Sequence, residues 1–221
     1  MNKKKIIIFL GPPGSGKGTQ SDVLGEKLKL PVISPGELLR YEEEKNTKLG
    51  KSVEKKINQG KLVSSDIIEK LIEKRLKKND ARNGFILDGY PRRLEQLVWL
   101  EKKSAKFEDK VIMVFYVKVS NKEVKARISG RRVCGCGAAY HLKYNPPKKK
   151  NRCDICGREL EIRDDDIPAI ITDRLKTFHH HSKPMLSYYK KKGYLFTIDG
   201  EQSIQKIEKS IFDIAKKLIK I

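Results

Sequence analysis

The chain has 221 residues, with 49 Lys and Arg against 28 Asp and Glu for a formal charge of +21. That length suits one α/β core with insertions and is marginal for two independent domains. The charge favours polyanionic partners such as nucleic acid, acidic membrane surfaces or nucleotide phosphates, although much of it is lysine spread along helical stretches, as at Lys70, Lys74, Lys77 and Lys78, where a solvated face accounts for it.

In chain order, the opening MNKKKIIIFLG has a basic start, but its apolar run, Ile6 to Leu10, is too short for an export signal. No stretch approaches 18 apolar residues, so no membrane span is expected. The run reads instead as a strand. It enters GPPGSGKGT, residues 11–19, and then a helical pattern with Val23, Leu24 and Leu28. Strand, glycine-rich loop and helix are the context of a phosphate-binding P-loop. The backbone N–H groups of residues 14–19 face an anion at a helix N-terminus, and Lys17 supplies a point charge. Gly18 stands where the usual pattern has a hydroxyl that ligates metal. Magnesium is therefore expected to be held through water and nucleotide oxygens, with Thr19 on a phosphate.

Further apolar runs at Val32–Ile33, Phe85–Leu87, Val111–Val119 and Tyr194–Ile198 suit strands buried on both faces. Helical patterns lie between and after them, at Ile67, Ile68, Leu71, Ile72 and Leu76 and at Ile204, Ile207, Ile211, Ile214 and Leu218. The expectation is a three-layer α/β fold of P-loop NTPase type with a central five-stranded parallel sheet. Ser120-Asn121-Lys122-Glu123 reads as a capping box opening a helix through Ile128. Segments 34–63, polar and helix-like, and 131–163, without helical period, read as insertions above the sheet. The third strand ends in Asp88-Gly89-Tyr90-Pro91-Arg92, at the sheet edge where open α/β folds bind ligands. There Asp88 can orient magnesium-bound water and Arg92 can hold a phosphate.

The four cysteines fall in two close pairs, Cys134-Gly135-Cys136 and Cys153-Asp154-Ile155-Cys156. With no export signal, the reducing cytoplasm is the expected compartment and metal outranks disulfides. The spacing reads as a structural zinc site with four cysteine ligands. Only one residue separates the first pair where two are usual, which makes His141 the substitute ligand should Cys134 or Cys136 fail to reach. The triplet His179-His180-His181 lies inside the chain and is no terminal tag.

Taken together, GPPGSGKGTQ, ISPGELLR (33–40), GKLV (60–63), DGYPRRLEQ (88–96), RISGRRVC (127–134), YHLKYNPP (140–147), RDDD (163–166) and DRL (173–175) run in order along the chain, and on them the sequence resembles the adenylate kinase family. The resemblance implies reversible, Mg2+-dependent phosphoryl transfer from ATP to AMP, giving two ADP, with no covalent intermediate. It implies a core of residues 1–33, 64–130 and 167–221, an insertion at 34–63 that binds the monophosphate, and a lid at 131–166 with a zinc-ribbon-like Zn2+ site, as some family members carry. It further implies that Gly14, Ser15, Gly16, Lys17, Gly18 and Thr19 hold ATP phosphates. Arg127 and Arg131 would meet ATP, Ala139 and Tyr140 would lie near its base, and the Gln202 backbone would contact adenine. Around AMP it places Arg40, Lys61, Leu62, Val63, Gly89, Tyr90, Pro91, Arg92 and Gln96. Arg163 and Arg174 would reach the transferring phosphate from the lid side. Asp165 and Asp166 of RDDD would pair with arginines on closure or, equally, form an acid cluster at a helix N-terminus.

Pro35 stands where the family usually has threonine beside AMP, so acceptor choice falls to the Gln96 amide, and a UMP/CMP-type kinase is the nearest alternative. A monomer is expected. A rival from another class is a basic zinc-ribbon nucleic-acid binder, built on Arg131, Arg132, Lys143, Lys148, Lys149, Lys150, Arg152 and Arg158 with Tyr140 and Tyr144 to stack on bases. That reading leaves the P-loop and the arginine set without a role.

Overall fold

The computed structural model describes residues 4–45, 47–59, 61–106 and 110–219. Strand β1 (Lys4–Leu10) leads into helix α1 (Lys17–Leu28), and β2 (Val32–Ile33) into α2 (Pro35–Glu43), α3 (Lys48–Asn58) and α4 (Ser65–Leu76). Then come β3 (Gly84–Asp88), α5 (Leu94–Ser104), β4 (Lys110–Lys118) and α6 (Asn121–Ser129). The hairpin β5 (Arg131–Val133) and β6 (Ala139–His141) follows, and α7 (Pro168–Lys191), β7 (Leu195–Asp199) and α8 (Ile204–Ile219) complete the chain.

Five strands form one sheet in the order β2-β3-β1-β4-β7, every pairing parallel. These are the five apolar runs of the sequence. The reason for unbroken runs is visible at β1: Ile6, Ile8 and Leu10 pack on one face with Ile72, Leu97, Leu100 and Tyr189, while Ile7 and Phe9 pack on the other with Leu24, Ile207 and Ile211. With helices on both faces no position in the central strand meets water, and each fully buried Ile, Leu or Phe contributes roughly 1.5–3 kcal/mol. Helix α8 keeps the stripe read from the sequence, with Ile207, Ile211 and Ala215 buried.

Helix α7 was not legible. Its 24 residues include Pro184, and its apolar residues serve two cores: Ile171 and Leu175 join the cluster of α1 and α8, whereas Met185 and Tyr189 join that of α4 and α5. A helix that changes partners along its length has no single stripe to read. The capping box is half as expected. Ser120 Oγ accepts from Glu123 N at 3.3 Å, but the Glu123 carboxylate serves Arg127 and Tyr144 instead of reaching back. The Ser120 N–H donates to Glu201 Oε1 at 2.7 Å, from the loop after β7.

Within 34–63, helices α2 and α3 pack together around Leu39 and Val53, and Thr47 caps α3 by accepting from Gly50 N. The segment after α6 is the two-stranded β5–β6 ribbon. Its core is only Cys134, Tyr140, Cys153 and Leu160, with Ala138 against them.

Candidate active site

The phosphate loop joins the buried end of β1 to α1. Gly16, the residue before α1, has φ 85 and provides no side-chain cap, so the helix N-terminus keeps its N–H groups for a ligand. The Ser15 hydroxyl and Asp88 Oδ1 are buried and have no hydrogen-bond partner among the described residues. A side chain at Gly18 would begin 3.4 Å from Asp88 Oδ2, so the missing hydroxyl leaves the Asp88 carboxylate facing open backbone.

One cavity lies beyond this loop. Lys17, Arg40, Arg92, Arg163 and Arg174 line it from the phosphate loop, α2, the turn after β3, the lid segment and α7. Lys17 Nζ donates to Pro12 O at 3.2 Å and Arg92 Nε to Gly89 O at 2.8 Å, both neutral carbonyls. Removal from bulk water pushes Lys17 down to about 8, with Asp88 opposing and Arg92, Arg174 and Arg131 adding to the fall. Desolvation takes Arg40 to about 10, helped by Arg163 and Arg131. Arg92 and Arg174 are lowered as well, first by desolvation and with neighbouring arginines contributing. Lys17, Arg40, Arg92 and Arg174, lowered first by desolvation and further by neighbouring arginines, mark a cavity that favours added negative charge, which is what phosphate supplies.

On the lid side the negative charge is present. Arg163 grips Asp165 through Nε and Nη2 at 2.9 and 2.7 Å. Arg174 reaches Asp165 O at 2.7 Å and Asp166 Oδ1 at 3.0 Å, and Arg131 holds both oxygens of Asp166. Burial alone would raise Asp165, but Arg174 and Arg163 outweigh it and hold the carboxyl below its ordinary range. RDDD is therefore the partner of three arginines; its acids form a short 3-10 turn just ahead of α7, outside that helix's own first turn.

Of the residues expected around a monophosphate, Pro35, Arg40, Lys61, Leu62, Val63, Gly89, Tyr90, Pro91, Arg92, Gln96, Arg163 and Arg174 all line this cavity; Gly60 of GKLV lies outside the described residues. Thr177, Phe178, Ser182 and Met185 of α7 line it too and were missed, although their spacing of one, four and three residues is helical. Among the residues expected near ATP, Arg127 lies beside the phosphate loop, 3.4 Å from Ser15 O, with its Nε on Glu123 at 2.7 Å. The Gln202 side chain is exposed and bonds Asp199 at 3.2 Å. Ala139 is exposed, but the Tyr140 ring is buried in the ribbon and its hydroxyl accepts from Asp154 N at 2.8 Å. The Tyr140 ring is thus engaged within the ribbon, and its backbone pairs with Arg132 in the β5–β6 ladder. The nucleic-acid reading loses one of its two aromatics for the same reason, and the other, Tyr144, is turned onto Glu123 and Arg127.

The sulfur atoms of Cys134, Cys136, Cys153 and Cys156 lie within 4.8 Å of one another, and the Cys134–Cys156 and Cys136–Cys153 pairs are 3.4 and 3.6 Å apart. A tetrahedral zinc site with bonds of roughly 2.3 Å puts its sulfurs about 3.8 Å apart, so the donor set fits. Burial would raise the Cys153 thiol, yet backbone N–H groups of Cys156 and Ile155 and the Tyr140 hydroxyl bring it down to about 6. The single-residue spacing of the first pair does not keep either cysteine away. His141 is not in the group: its Nδ1 accepts from Lys143 N and Tyr144 N, and its ring packs on Tyr144. Among the described residues no helix is long and apolar enough to cross a membrane.

Comparison with known proteins agrees with this geometry. The adenylate kinase family model matches residues 9–194. The chain is 42% identical to an adenylate kinase of Archaeoglobus fulgidus over 213 residues, 96% of this chain and 98% of that one. It is 40% identical to one of Caldicellulosiruptor saccharolyticus, covering 93% and 96%, and 41% identical to one of Methanothrix thermoacetophila, covering 96% and 98%. With a five-stranded parallel sheet, a phosphate loop and a cation-lined cavity at its edge, the chain belongs to the adenylate kinase family of phosphotransferases.

Proposed function

We propose that the protein catalyses reversible, Mg2+-dependent phosphoryl transfer between ATP and AMP, forming two ADP. The observation that carries this reading is the convergence of Lys17, Arg40, Arg92, Arg163 and Arg174 on one cavity. Two polyanions brought end to end repel each other, and only a set of cations on both sides offsets that repulsion. Direct transfer needs positioning and charge stabilisation and no protein nucleophile. The phosphate loop, Gly14 to Thr19, holds the ATP phosphates through backbone N–H groups and Lys17, with Arg127 and Arg131 beside them. Arg40 and Arg92 hold the AMP phosphate, and Gln96 reads its base. Arg163 and Arg174 exchange Asp165 for the transferring phosphoryl group.

Residues 1–33, 64–130 and 167–221 act as the core, 34–63 close over AMP and 131–166 close over ATP, keeping water from accepting the phosphoryl group. Asp88 fits a hydrated Mg2+ because its Oδ1 is buried and unpartnered among the described residues; the ion, when bound, neutralises phosphate charge. Cys134, Cys136, Cys153 and Cys156 hold a saturated Zn2+ that shapes the lid, since a cluster of four buried side chains is too small to do so alone. The protein works as a cytoplasmic monomer. Coupled detection of ADP from ATP with AMP, CMP, UMP and GMP tests the reading: AMP is expected to be the preferred acceptor by at least about tenfold. Preference for CMP or UMP would replace it with the pyrimidine reading, and absence of transfer to any of them would overturn it.

A further inference from the structure

Gln96 is 1% exposed and lines the cavity. Its two amide atoms have different, fixed neighbours. Oε1 accepts from Arg92 N at 2.8 Å, and Nε2 donates to Ser65 Oγ at 3.2 Å. Ser65 in turn donates to Glu95 Oε1 at 2.5 Å. Each direction is forced. A backbone N–H can only donate, so it demands the oxygen of Gln96. An ionised carboxylate can only accept, so it takes the single Ser65 proton and leaves the hydroxyl as an acceptor, which demands the Gln96 NH2. Glu95 is exposed, and the Ser65 hydrogen bond and Arg93 favour its ionised form. Two independent constraints thus choose the same orientation of one amide.

That orientation leaves Gln96 with a second lone pair on Oε1 and a second N–H on Nε2. A base carrying an exocyclic amino group beside a ring-nitrogen acceptor matches this pair, as the adenine edge does. A 6-oxo purine held in the same place puts a carbonyl against the Gln96 oxygen, and the amide cannot turn to suit it without breaking the bonds to Arg92 and Ser65. Since Pro35 has no hydroxyl to offer, the distinction rests on the amide.

We infer that Ser65, held by Glu95, is a specificity-determining positioning residue that fixes the Gln96 amide for a 6-amino purine and against a 6-oxo purine. Ser65 touches no substrate in this account; it acts through Gln96. The inference rests on the functional reading above, with AMP as acceptor. Its test is kcat/KM for AMP and for inosine monophosphate with ATP as donor, in wild type, Ser65→Ala, Ser65→Thr and Glu95→Gln. Losing one hydrogen bond of this kind is worth roughly three- to tenfold. Ser65→Ala and Glu95→Gln are each expected to lower the AMP-to-inosine-monophosphate ratio by about that factor. The change should fall mainly on KM for AMP with KM for ATP unmoved, and Ser65→Thr, which keeps the hydroxyl, should restore the ratio. A ratio unchanged in both Ser65→Ala and Glu95→Gln would overturn the inference and leave AMP kinase activity standing. So would an equal loss toward both acceptors and ATP, which marks a merely structural role. Wild-type protein inactive toward AMP would overturn the functional reading, and this inference with it.

Discussion

The cavity and the cysteine ribbon are both rich in basic residues, yet they are built in opposite senses. In the cavity, cations from five elements face one space, and desolvation together with mutual repulsion lowers Lys17, Arg40, Arg92 and Arg174. In the ribbon four sulfurs, two on buried and two on exposed cysteines, converge on one point, and N–H and O–H donors stabilise the thiolate of Cys153. Its basic residues stand outside: Lys148, Lys149, Lys150, Arg152 and Arg158 are all exposed. One region is short of an anion and the other is arranged for a cation. Charge counted along the sequence is blind to this difference, because the sign of a site is set by which groups face inward.

Substitution of the inward groups should break this contrast most severely. Lys17→Met or Arg92→Ala is expected to cut kcat/KM for phosphoryl transfer by about 10³ or more while thermal unfolding stays within a few degrees of wild type, because each removes transition-state charge stabilisation and little packing. Steady-state kinetics beside a melting curve checks both halves, and full activity in either variant would refute the role. In the ribbon the order reverses. Zinc removal by a chelator, or Cys153→Ser, should lower the unfolding temperature by roughly 5–10 °C, with activity falling only as the lid loses shape. A melting temperature unmoved by chelation would mean that no structural metal is bound.

A pH experiment sharpens the comparison at Lys17. Its folded value of about 8 lies below the ordinary lysine range, so the charged form is disfavoured in the free protein. That penalty is fully present below about pH 8 and is relieved as pH rises from there toward the ordinary lysine value. A bound phosphate favours the ammonium, so ATP binding should take up a proton above about pH 8, with affinity weakening by up to about tenfold per pH unit. Calorimetry in buffers of different ionisation enthalpy reads this uptake, and Lys17→Met should abolish it. The smallest effect belongs to the outward cations. Arg158→Ala removes an exposed donor 3.4 Å from Cys156 Sγ, and activity should change by less than about twofold.

How much of this was legible follows from where each constraint acts. The five strands could be read because a sheet covered on both faces leaves uninterrupted apolar runs, and Ile6 to Leu10 is one. The phosphate loop and the cysteine pairs could be read because their chemistry needs neighbours in sequence. Helix α7 could not, because Ile171 and Leu175 answer to one core and Met185 and Tyr189 to another, and its cavity-lining Phe178 and Ser182 carry no chemical signature. Nor could the partners of Ser120 and Gln96. Glu201 lies 81 residues from Ser120, and Ser65 lies 31 residues from Gln96; only the fold brings them together. The burial of the Tyr140 ring was not legible either: it fills the ribbon core because so small a cluster has few other large side chains to do so.

The most direct test is a crystal structure with a bisubstrate mimic, two adenosines joined by a phosphate chain. Phosphate oxygens are expected within hydrogen-bond reach of Lys17 Nζ and of the Arg92, Arg163 and Arg174 guanidinium groups, with Arg163 released from Asp165. A mimic seated elsewhere, or one bound while those guanidinium groups keep their present carbonyl and carboxylate partners, would contradict this expectation.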